Sequence, residues 1–339
     1  MKRGIPLVFK RSPLYQTVKD LLPQPIRHAL AGDLVRHQQR MLIDSAVKNK
    51  AILPTLMCIE LTNHCNAKCT FCTQPEIMTR PKKHMPDTVM EECLTAIKKY
   101  NISEVMLAGM GEPFLYKKLL PVIGRLKKMG VLVSITTNGS ILHIMEPSEI
   151  VESGLDKLLI SMDAIETGWL HQSKPGIKKT VDEIEQDIRG IYAYREERGR
   201  STPLIRLKYQ VLEDSNFMAD KEKEKEIILS KVGVLCDEVD LRKQHDWLGE
   251  AAEGVGNHTL PKATMDNICG QLIRTMEVSW NGDVGLCCMD FDNKVILGNI
   301  LESDIKTIFN AEPIKEARRM YVNGSAAFHP MCSGCYAEG

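Results

Sequence analysis

Three cysteines in the first quarter of the chain, Cys65, Cys69 and Cys72, follow the spacing C-x3-C-x2-C. Cysteine thiolates bind iron–sulfur clusters, and a [4Fe-4S] cluster offers one ligand position on each of its four irons. Three cysteines therefore leave one iron open to a cofactor or a substrate, and an open position on a metal indicates chemistry. Two alternatives remain from these residues alone: a zinc site completed by His64 or His84, or buried free thiols.

The other cysteines are unevenly distributed along the chain. Of eleven cysteines in 339 residues, four lie within 58–72 and five within 269–335. The N-terminus has no secretory signal pattern, so we expect a reducing, cytoplasmic location in which cysteines bind metals instead of forming disulfides. Two separate metal sites follow from the clustering.

Composition limits the classes of partner. The net charge is zero, so nucleic acid is not an expected partner, and no apolar run reaches the length of a membrane span. Residues 1–50 differ from the rest, with ten Lys and Arg against three Asp. We expect a basic, helical N-terminal extension that is solvated or lies across the enzyme's own acidic surface, and contact with a membrane surface or a polyanion is the alternative.

Strand and helix patterns alternate between the two cysteine groups. This alternation predicts an α/β fold with a parallel sheet, helices on its outer face and an active site at the carboxyl ends of the strands. Periodicity does not separate a partial barrel from an open, doubly wound sheet. The predicted strands are 55–61, 102–108, 131–136, 157–161, 204–211 and 238–241, and the predicted helices are 89–100, 116–129, 147–153, 178–198 and 221–231.

Small polar motifs follow several of these strands. The first strand is followed by the cysteine loop, the second by 109–113 (Gly-Met-Gly-Glu-Pro), the third by 136–139 (Thr-Thr-Asn-Gly) and the fourth by 161–164 (Ser-Met-Asp-Ala). Each motif alone is compatible with an ordinary turn or a helix N-cap. Their recurrence at one edge of the sheet predicts a binding site there.

Together these motifs resemble the radical S-adenosylmethionine (SAM) superfamily, including the aromatic Phe71 before the last cysteine. The resemblance covers about 55–245 and implies a partial (β/α)6 TIM-like barrel whose free iron chelates SAM. It also implies SAM contacts, which fall on Phe71, Gly111, Glu112, Asn138, Ser161, Asp163 and Arg206. For Arg206, a salt bridge on the strand surface is an equal alternative.

The second cysteine group resembles the SPASM domain of the same superfamily, in its shortened twitch form. Cys269, Gly282 and Cys287 follow the pattern C-x12-G-x4-C, and Cys332 and Cys335 follow C-x2-C. Residues 275–289 are predicted to form a hairpin and residues 304–322 a helix. The resemblance implies that the four cysteines hold one auxiliary [4Fe-4S] cluster, with zinc as the alternative, and it leaves Cys288 as an extra thiol.

The expected organisation is a basic extension (1–50), a radical SAM core (51–245), and a linker with a small α+β twitch domain (246–339). The resemblance implies an oxidoreductase in which a 5′-deoxyadenosyl radical takes a hydrogen atom from the substrate and the auxiliary cluster takes up an electron. A small hydroxylated or amino substrate, such as a sugar or an aminocyclitol, fits this chemistry. The alternatives are a redox-neutral sugar epimerase and an enzyme that modifies a ribosomal peptide.

An electron donor of the flavodoxin or ferredoxin type is the expected protein partner. His245, Lys243 and Tyr209, at or near the ends of the last two strands of the core, are the candidates for catalytic proton transfer.

Overall fold

A computed structural model describes residues 50–74, 76–211, 226–233, 235–243 and 269–322. The predicted N-terminal extension therefore lies outside the described residues, as do His245, Cys332 and Cys335. The boundaries of the three expected domains stay a prediction.

The described strands form one sheet of nine strands in the order β6-β5-β4-β3-β2-β1-β7-β8-β9. Strands β1 to β6 are parallel, which confirms the predicted α/β class, and the sheet is open, as in a partial barrel. The bounds are β1 (Leu56–Ile59), β2 (Glu104–Leu107), β3 (Leu132–Thr137), β4 (Lys157–Ser161), β5 (Leu204–Val211), β6 (Glu238–Lys243), β7 (Thr275–Val278), β8 (Asp283–Gly285) and β9 (Ile296–Asn299).

Helices connect the parallel strands, as the alternation predicts. Helix α5 begins where Thr180 and Glu183 form a capping box, so it starts three residues later than periodicity indicates. The bounds are α1 (Asp87–Tyr100), α2 (Leu119–Lys128), α3 (Pro147–Glu152), α4 (Thr167–Ser173), α5 (Val181–Glu197), α6 (Gly270–Ile273), α7 (Ile305–Ile308) and α8 (Glu312–Val322), with residues 226–232 also helical.

The two faces of the sheet differ in burial. Alternate residues of the strands, such as Ile59, Leu107 and Ile135, have no exposed surface and join the helices in one apolar core. The residues between them on each strand point to the other face. That second face is lined by polar and partly exposed side chains, and it is where the site described below is found.

The C-terminal hairpin continues the sheet instead of forming a separate layer. Strand β7 pairs in parallel with β1, with Ile59 opposite Val278, and β8 and β9 follow as antiparallel strands. The tight turn of the predicted hairpin is Asn281-Gly282, and Gly282 has φ of 90°, where a residue with a side chain would be strained. The hairpin is thus confirmed, and its pairing with the first strand is new information.

One predicted helix is wrong in detail. Residues 304–322 form two helices, α7 and α8, separated at 309–311. Pro313 has no backbone N–H, so it is tolerated in the first turn of a helix but not in its interior. Its position therefore fits the start of a new helix at Glu312. None of the helices in the described part of the chain is both long and apolar enough to cross a membrane.

Candidate active site

The loop with Cys65, Cys69 and Cys72 follows β1 at its carboxyl end. All three thiols are partly buried. Burial raises the pKa of Cys69 to about 12 and that of Cys72 to about 11, and it also raises the pKa of Cys65. Thiolates so placed repel one another and need a positively charged ligand, so this donor set fits a metal cluster.

The arrangement of donors does not suit a single ion. Within the described residues, no group of three or more His, Cys, Asp or Glu side chains is arranged to hold one metal ion. The rings of His64 and His84 contact each other, with centroids 4.8 Å apart. A zinc site needs four donors around one point, whereas each cysteine of a [4Fe-4S] cluster binds a different iron.

A segment after α4 braces the cysteine loop. The backbone N–H groups of Lys68 and Thr70 donate to the carbonyl oxygens of Pro175, at 2.6 Å, and Ser173, at 2.9 Å. Gly176, with φ of 94°, lies so close that a Cβ atom there would be 2.7 Å from the Asn66 carbonyl oxygen. The shape of the loop is therefore set by a segment a hundred residues later in the chain.

Lys174, within this segment, forms a buried ion pair with Asp163. The Lys174 side chain is 1 % exposed, and its Nζ lies 2.8 Å from Asp163 Oδ2 and donates to the Ser161 carbonyl oxygen at 2.5 Å. The ammonium also lies 6.0 Å from the centre of the Phe71 ring and favours the ionised forms of Cys65 and Cys69. Three predicted site residues, Phe71, Ser161 and Asp163, thus meet around a lysine that the sequence analysis did not single out.

Glu112 and Asn138 connect the second and third strand ends to the cysteine loop. The buried Glu112 carboxylate accepts hydrogen bonds from the backbone N–H groups of Phe114 and Asn138 and from Thr137 Oγ1. Asn138 Nδ2 contacts Cys65 Sγ at 3.8 Å and donates to Asn66 Oδ1 at 3.0 Å. Burial raises the pKa of Glu112, and its three hydrogen bonds join the second strand end to the third; its contact with SAM stays a prediction.

Gly111 allows the segment 109–113 to pack closely against residues 62–64, which follow β1. A Cβ atom at Gly111 would lie 2.3 Å from the Thr62 carbonyl oxygen and 2.6 Å from that of His64. The backbone N–H of Glu112 donates to the same His64 oxygen. Only glycine fits there, because the obstacles are backbone atoms that cannot rotate away.

Arg206 and Tyr209, both predicted site residues, lie on β5. Arg206 is the third residue of the strand, near its amino end, and its Nε donates to Glu238 Oε2 on β6 at 2.6 Å. The salt bridge that the sequence analysis gave as the alternative is thus present, and a contact of Arg206 with SAM stays a prediction. Tyr209 is 3 % exposed on the core-facing side of β5, and burial raises its pKa above the usual value.

All three catalytic candidates, Tyr209, Lys243 and His245, stay predictions. Lys243 is the last residue of β6, at the carboxyl edge of the sheet, and His245 lies outside the described residues.

Cys269 and Cys287, two members of the second cysteine group, lie at the amino end of β7. Cys269 caps α6 just before β7, and Cys287 follows β8, whose pairing with β7 brings it back to the same end. The pKa values of both thiols are raised, that of Cys269 to about 11 by burial and by Cys287 beside it, and that of Cys287 through contact with Cys288 and burial. Two buried thiols that interact fit half of a cluster site.

A cavity of about 280 Å³ extends along β1 and β7, and Cys287 and Cys288 of the second cysteine group are among its lining residues. At one end it is bounded by Gly109 and Met110, next to Glu112. At the other end it is bounded by Cys287 and Cys288, and Glu277 lines its wall.

Arg80 and Glu60 form a bidentate pair in this wall, with both N–O distances at 2.8 Å. Arg80 Nε also donates to the Phe291 carbonyl oxygen at 2.6 Å, so this side chain ties the first half of the sheet to the C-terminal hairpin.

The sequence analysis missed Glu277. Its signal was present, because Thr275, Glu277 and Ser279 alternate with the apolar Met276 and Val278, which makes one face of β7 polar. That face is the one that lines the cavity.

Comparison with known proteins agrees with both halves of this site. The family model of the radical SAM superfamily matches residues 59–195, and that of the SPASM iron-sulfur cluster-binding domain matches residues 269–336. The chain contains a radical SAM domain and a SPASM domain. These domains imply SAM and [4Fe-4S] clusters as cofactors, as the resemblance predicts, and the three-cysteine loop and the second group fit the clusters.

Solved structures share the fold at low sequence identity. The crystal structure of BtrN in complex with AdoMet and 2-DOIA aligns with 84% of this chain and 93% of that one, at a TM-score of 0.57 and 18% identity. The structure of Streptococcus suis SuiB bound to the precursor peptide SuiA aligns with 87% of this chain and 74% of that one, at a TM-score of 0.63 and 16% identity.

Curated relatives match only part of this radical SAM chain. A probable GTP 3',8-cyclase from Pyrococcus horikoshii is 32% identical over 132 residues, which are 36% of this chain and 42% of the relative. A PqqA peptide cyclase from Bradyrhizobium diazoefficiens is 24% identical over 116 residues, which are 34% of this chain and 30% of the relative. The matched region thus covers less than half the length of each of these relatives.

Proposed function

We propose that this radical SAM enzyme is an oxidoreductase that removes two hydrogens from a small hydroxylated or amino substrate, such as a sugar or an aminocyclitol. The observation that carries the proposal is the cavity along β1 and β7, which reaches Cys287 and Cys288 at one end and the Gly109-Met110 segment after β2 at the other. We propose that a substrate held there has the auxiliary cluster at the first end and SAM near the second. The four residues of β1 that separate the ends span about 13 Å.

The roles of the cysteines follow from their positions. Cys65, Cys69 and Cys72 would hold the cluster that binds SAM, and Cys269, Cys287, Cys332 and Cys335 would hold the auxiliary cluster. When bound, SAM and the first cluster supply a 5′-deoxyadenosyl radical that takes a hydrogen atom, and the auxiliary cluster supplies an acceptor for one electron. With the loss of one proton to the protein, a C–H and an O–H become a C=O.

The chain's own residues position these groups. Lys174 and the segment 173–176 fix the cysteine loop, and Gly111 and Asn138 bring the second and third strand ends against it. The Arg80–Glu60 pair holds the hairpin of the auxiliary site against the first strand. An electron donor of the flavodoxin or ferredoxin type would complete the system.

The test uses matched cysteine variants of the full chain, reconstituted with iron and sulfide under anaerobic conditions. Two [4Fe-4S] clusters predict about eight irons per chain. Cys69→Ala should abolish formation of 5′-deoxyadenosine from SAM and dithionite. Cys332→Ala should keep that formation but lose the oxidised product.

Candidate sugars and aminocyclitols are screened by mass, and a loss of two hydrogens is the expected change. Oxidised product from the Cys332 variant would contradict the role of the auxiliary cluster, and about four irons in the wild type would contradict the two-cluster assignment.

A redox-neutral epimerase is the second candidate, because the thiol of Cys288 lines the cavity and could return a hydrogen atom to a substrate radical. It predicts unchanged substrate mass in normal water, gain of one deuterium in heavy water, and loss of that exchange in Cys288→Ala. Absence of deuterium in the product would exclude it.

A further inference from the structure

The cavity wall contains a carboxylate that no described cation of the wall neutralises. Four charged side chains line the cavity: Glu60, Arg80, Glu277 and Asp290. Arg80 is paired with Glu60 and donates to a backbone oxygen. Asp290 accepts hydrogen bonds from the backbone N–H groups of Lys294 and Val295, both at 2.8 Å, within its own loop. Glu277 is the carboxylate that remains for a ligand.

The partners of Glu277 inside the protein are neutral. Its carboxylate accepts hydrogen bonds from the thiol of Cys58 and from the amide of Gln271. These bonds lower its pKa, but burial outweighs them and raises the pKa to about 7, with the charge of Glu60 acting in the same direction. A group with these surroundings is stabilised as a carboxylate when a cation enters the cavity.

An unused hydrogen-bond acceptor lies beside this carboxylate. The amide of Gln271 bonds to Glu277, and its Nε2 also contacts Cys288 Sγ at 3.4 Å. Its oxygen, Oε1, is buried and has no hydrogen-bond partner among the described residues. A buried acceptor without a donor costs free energy, so the site as described lacks a donor at this point.

We propose that the cavity binds its substrate through an ammonium group, which Glu277 and the amide oxygen of Gln271 hold together. An ammonium has three N–H donors, no acceptor and one positive charge, so it satisfies both oxygens and compensates the carboxylate. A hydroxyl has a single donor and no charge. The cavity volume of about 280 Å³ suits one small molecule, so the substrate class is a small primary amine, such as an amino sugar or an aminocyclitol.

The inference rests on the proposed function, because it takes the cavity as the substrate site. Its test measures binding and needs no turnover. The probes are cyclohexylammonium and cyclohexanol, which share a ring and differ in the group under test. Each is titrated into the reconstituted full chain with SAM present at pH 8, and affinity is measured by calorimetry and by ligand-observed NMR.

The expected result is that cyclohexylammonium binds at least about tenfold more tightly than cyclohexanol. Glu277→Gln should remove this preference and leave the affinity for cyclohexanol unchanged. The control is Glu185→Gln, which neutralises a partly buried carboxyl of α5 whose pKa is also raised by burial. Glu185 does not line the cavity, so this variant should keep the full preference.

Equal affinity of the wild type for both probes would overturn the proposal, as would binding of neither probe or an unchanged preference in Glu277→Gln. If Glu277→Gln has low iron content, Glu277→Asp decides, because it keeps the charge and should keep a preference for the ammonium that Glu277→Ala lacks. Formation of 5′-deoxyadenosine and loss of product in Cys332→Ala are measured separately. If 5′-deoxyadenosine forms and Cys332→Ala loses the oxidised product, but the wild type does not prefer the ammonium, only this inference is wrong. If the wild type prefers the ammonium but Cys332→Ala still makes the oxidised product, only the oxidoreductase assignment is wrong.

Discussion

The buried pair of Lys174 and Asp163 gives the most quantitative prediction for stability. Lys174→Met keeps an unbranched side chain, one atom shorter, but removes the ammonium and its contacts with the Asp163 carboxylate and the Ser161 carbonyl oxygen. The carboxylate is then left buried without its cation. Removing one partner of such a buried pair costs about 4 kcal/mol.

The converse change and the double variant complete a thermodynamic cycle. Asp163 has φ of 54°, a left-handed conformation that asparagine tolerates, so Asp163→Asn removes the charge without straining the backbone. It should cost about 3 kcal/mol, because the ammonium loses its counter-charge. The double variant leaves no buried charge at this position, so it should cost about 4 kcal/mol in total instead of the additive 7, a coupling of about 3 kcal/mol.

Urea unfolding followed by circular dichroism measures these values. With a slope of about 3 kcal/mol/M, a loss of 4 kcal/mol lowers the midpoint by more than about 1 M. Lys174→Met should also lower iron content at the Cys65 site, because residues 173–176 brace that loop. Additive single and double variants, within about 0.5 kcal/mol, would refute the reasoning that the pair acts as one buried unit.

Three further predictions use single substitutions. Gly111→Ala should lower stability by at least about 2 kcal/mol in urea unfolding because its Cβ collides with backbone oxygens, whereas Gly124→Ala, in a helix with open space around it, should gain about 1 kcal/mol. Arg80→Ala should cost about 3 kcal/mol by leaving Glu60 buried and unpaired, and Arg80→Ala with Glu60→Gln should recover part of that loss in the same assay. Because burial raises the pKa of Glu277 to about 7, ionising it opposes folding as pH rises. Glu277→Gln should therefore gain stability relative to the wild type between pH 5 and pH 8, and an unchanged difference in urea midpoint would contradict the assigned pKa.

Local sequence patterns were sufficient to predict most of the strands and helices and the first cysteine group. Strands β1 to β6 and most helices follow from alternation and capping, since these depend on residues within a few positions of each other. The edge of the sheet that carries the motifs followed from the parallel class.

Contacts between distant segments could not be predicted in the same way. The pairing of β1 with β7 joins residues more than two hundred positions apart, and nothing in either strand specifies its partner. Lys174 looks like a surface lysine in the sequence, and only the packing of α4 against the cysteine loop buries it. Arg206 was placed correctly on a strand, but its distance from the carboxyl edge and its pairing with Glu238 depend on the register between β5 and β6.

The position of β1 between β2 and β7 also affects how the protein is made. On the ribosome, β2 can pair with β1 soon after both have emerged, but β7 is synthesised more than two hundred residues later. At about 5–20 residues per second, the outer edge of β1 stays open for about 10–40 s. During that interval the nascent chain presents an unpaired strand edge beside a loop of three reduced thiols, so this edge is where newly made chains are most exposed to misassociation. Synthesis of β7 closes the edge, and in the same step it completes the wall of the cavity.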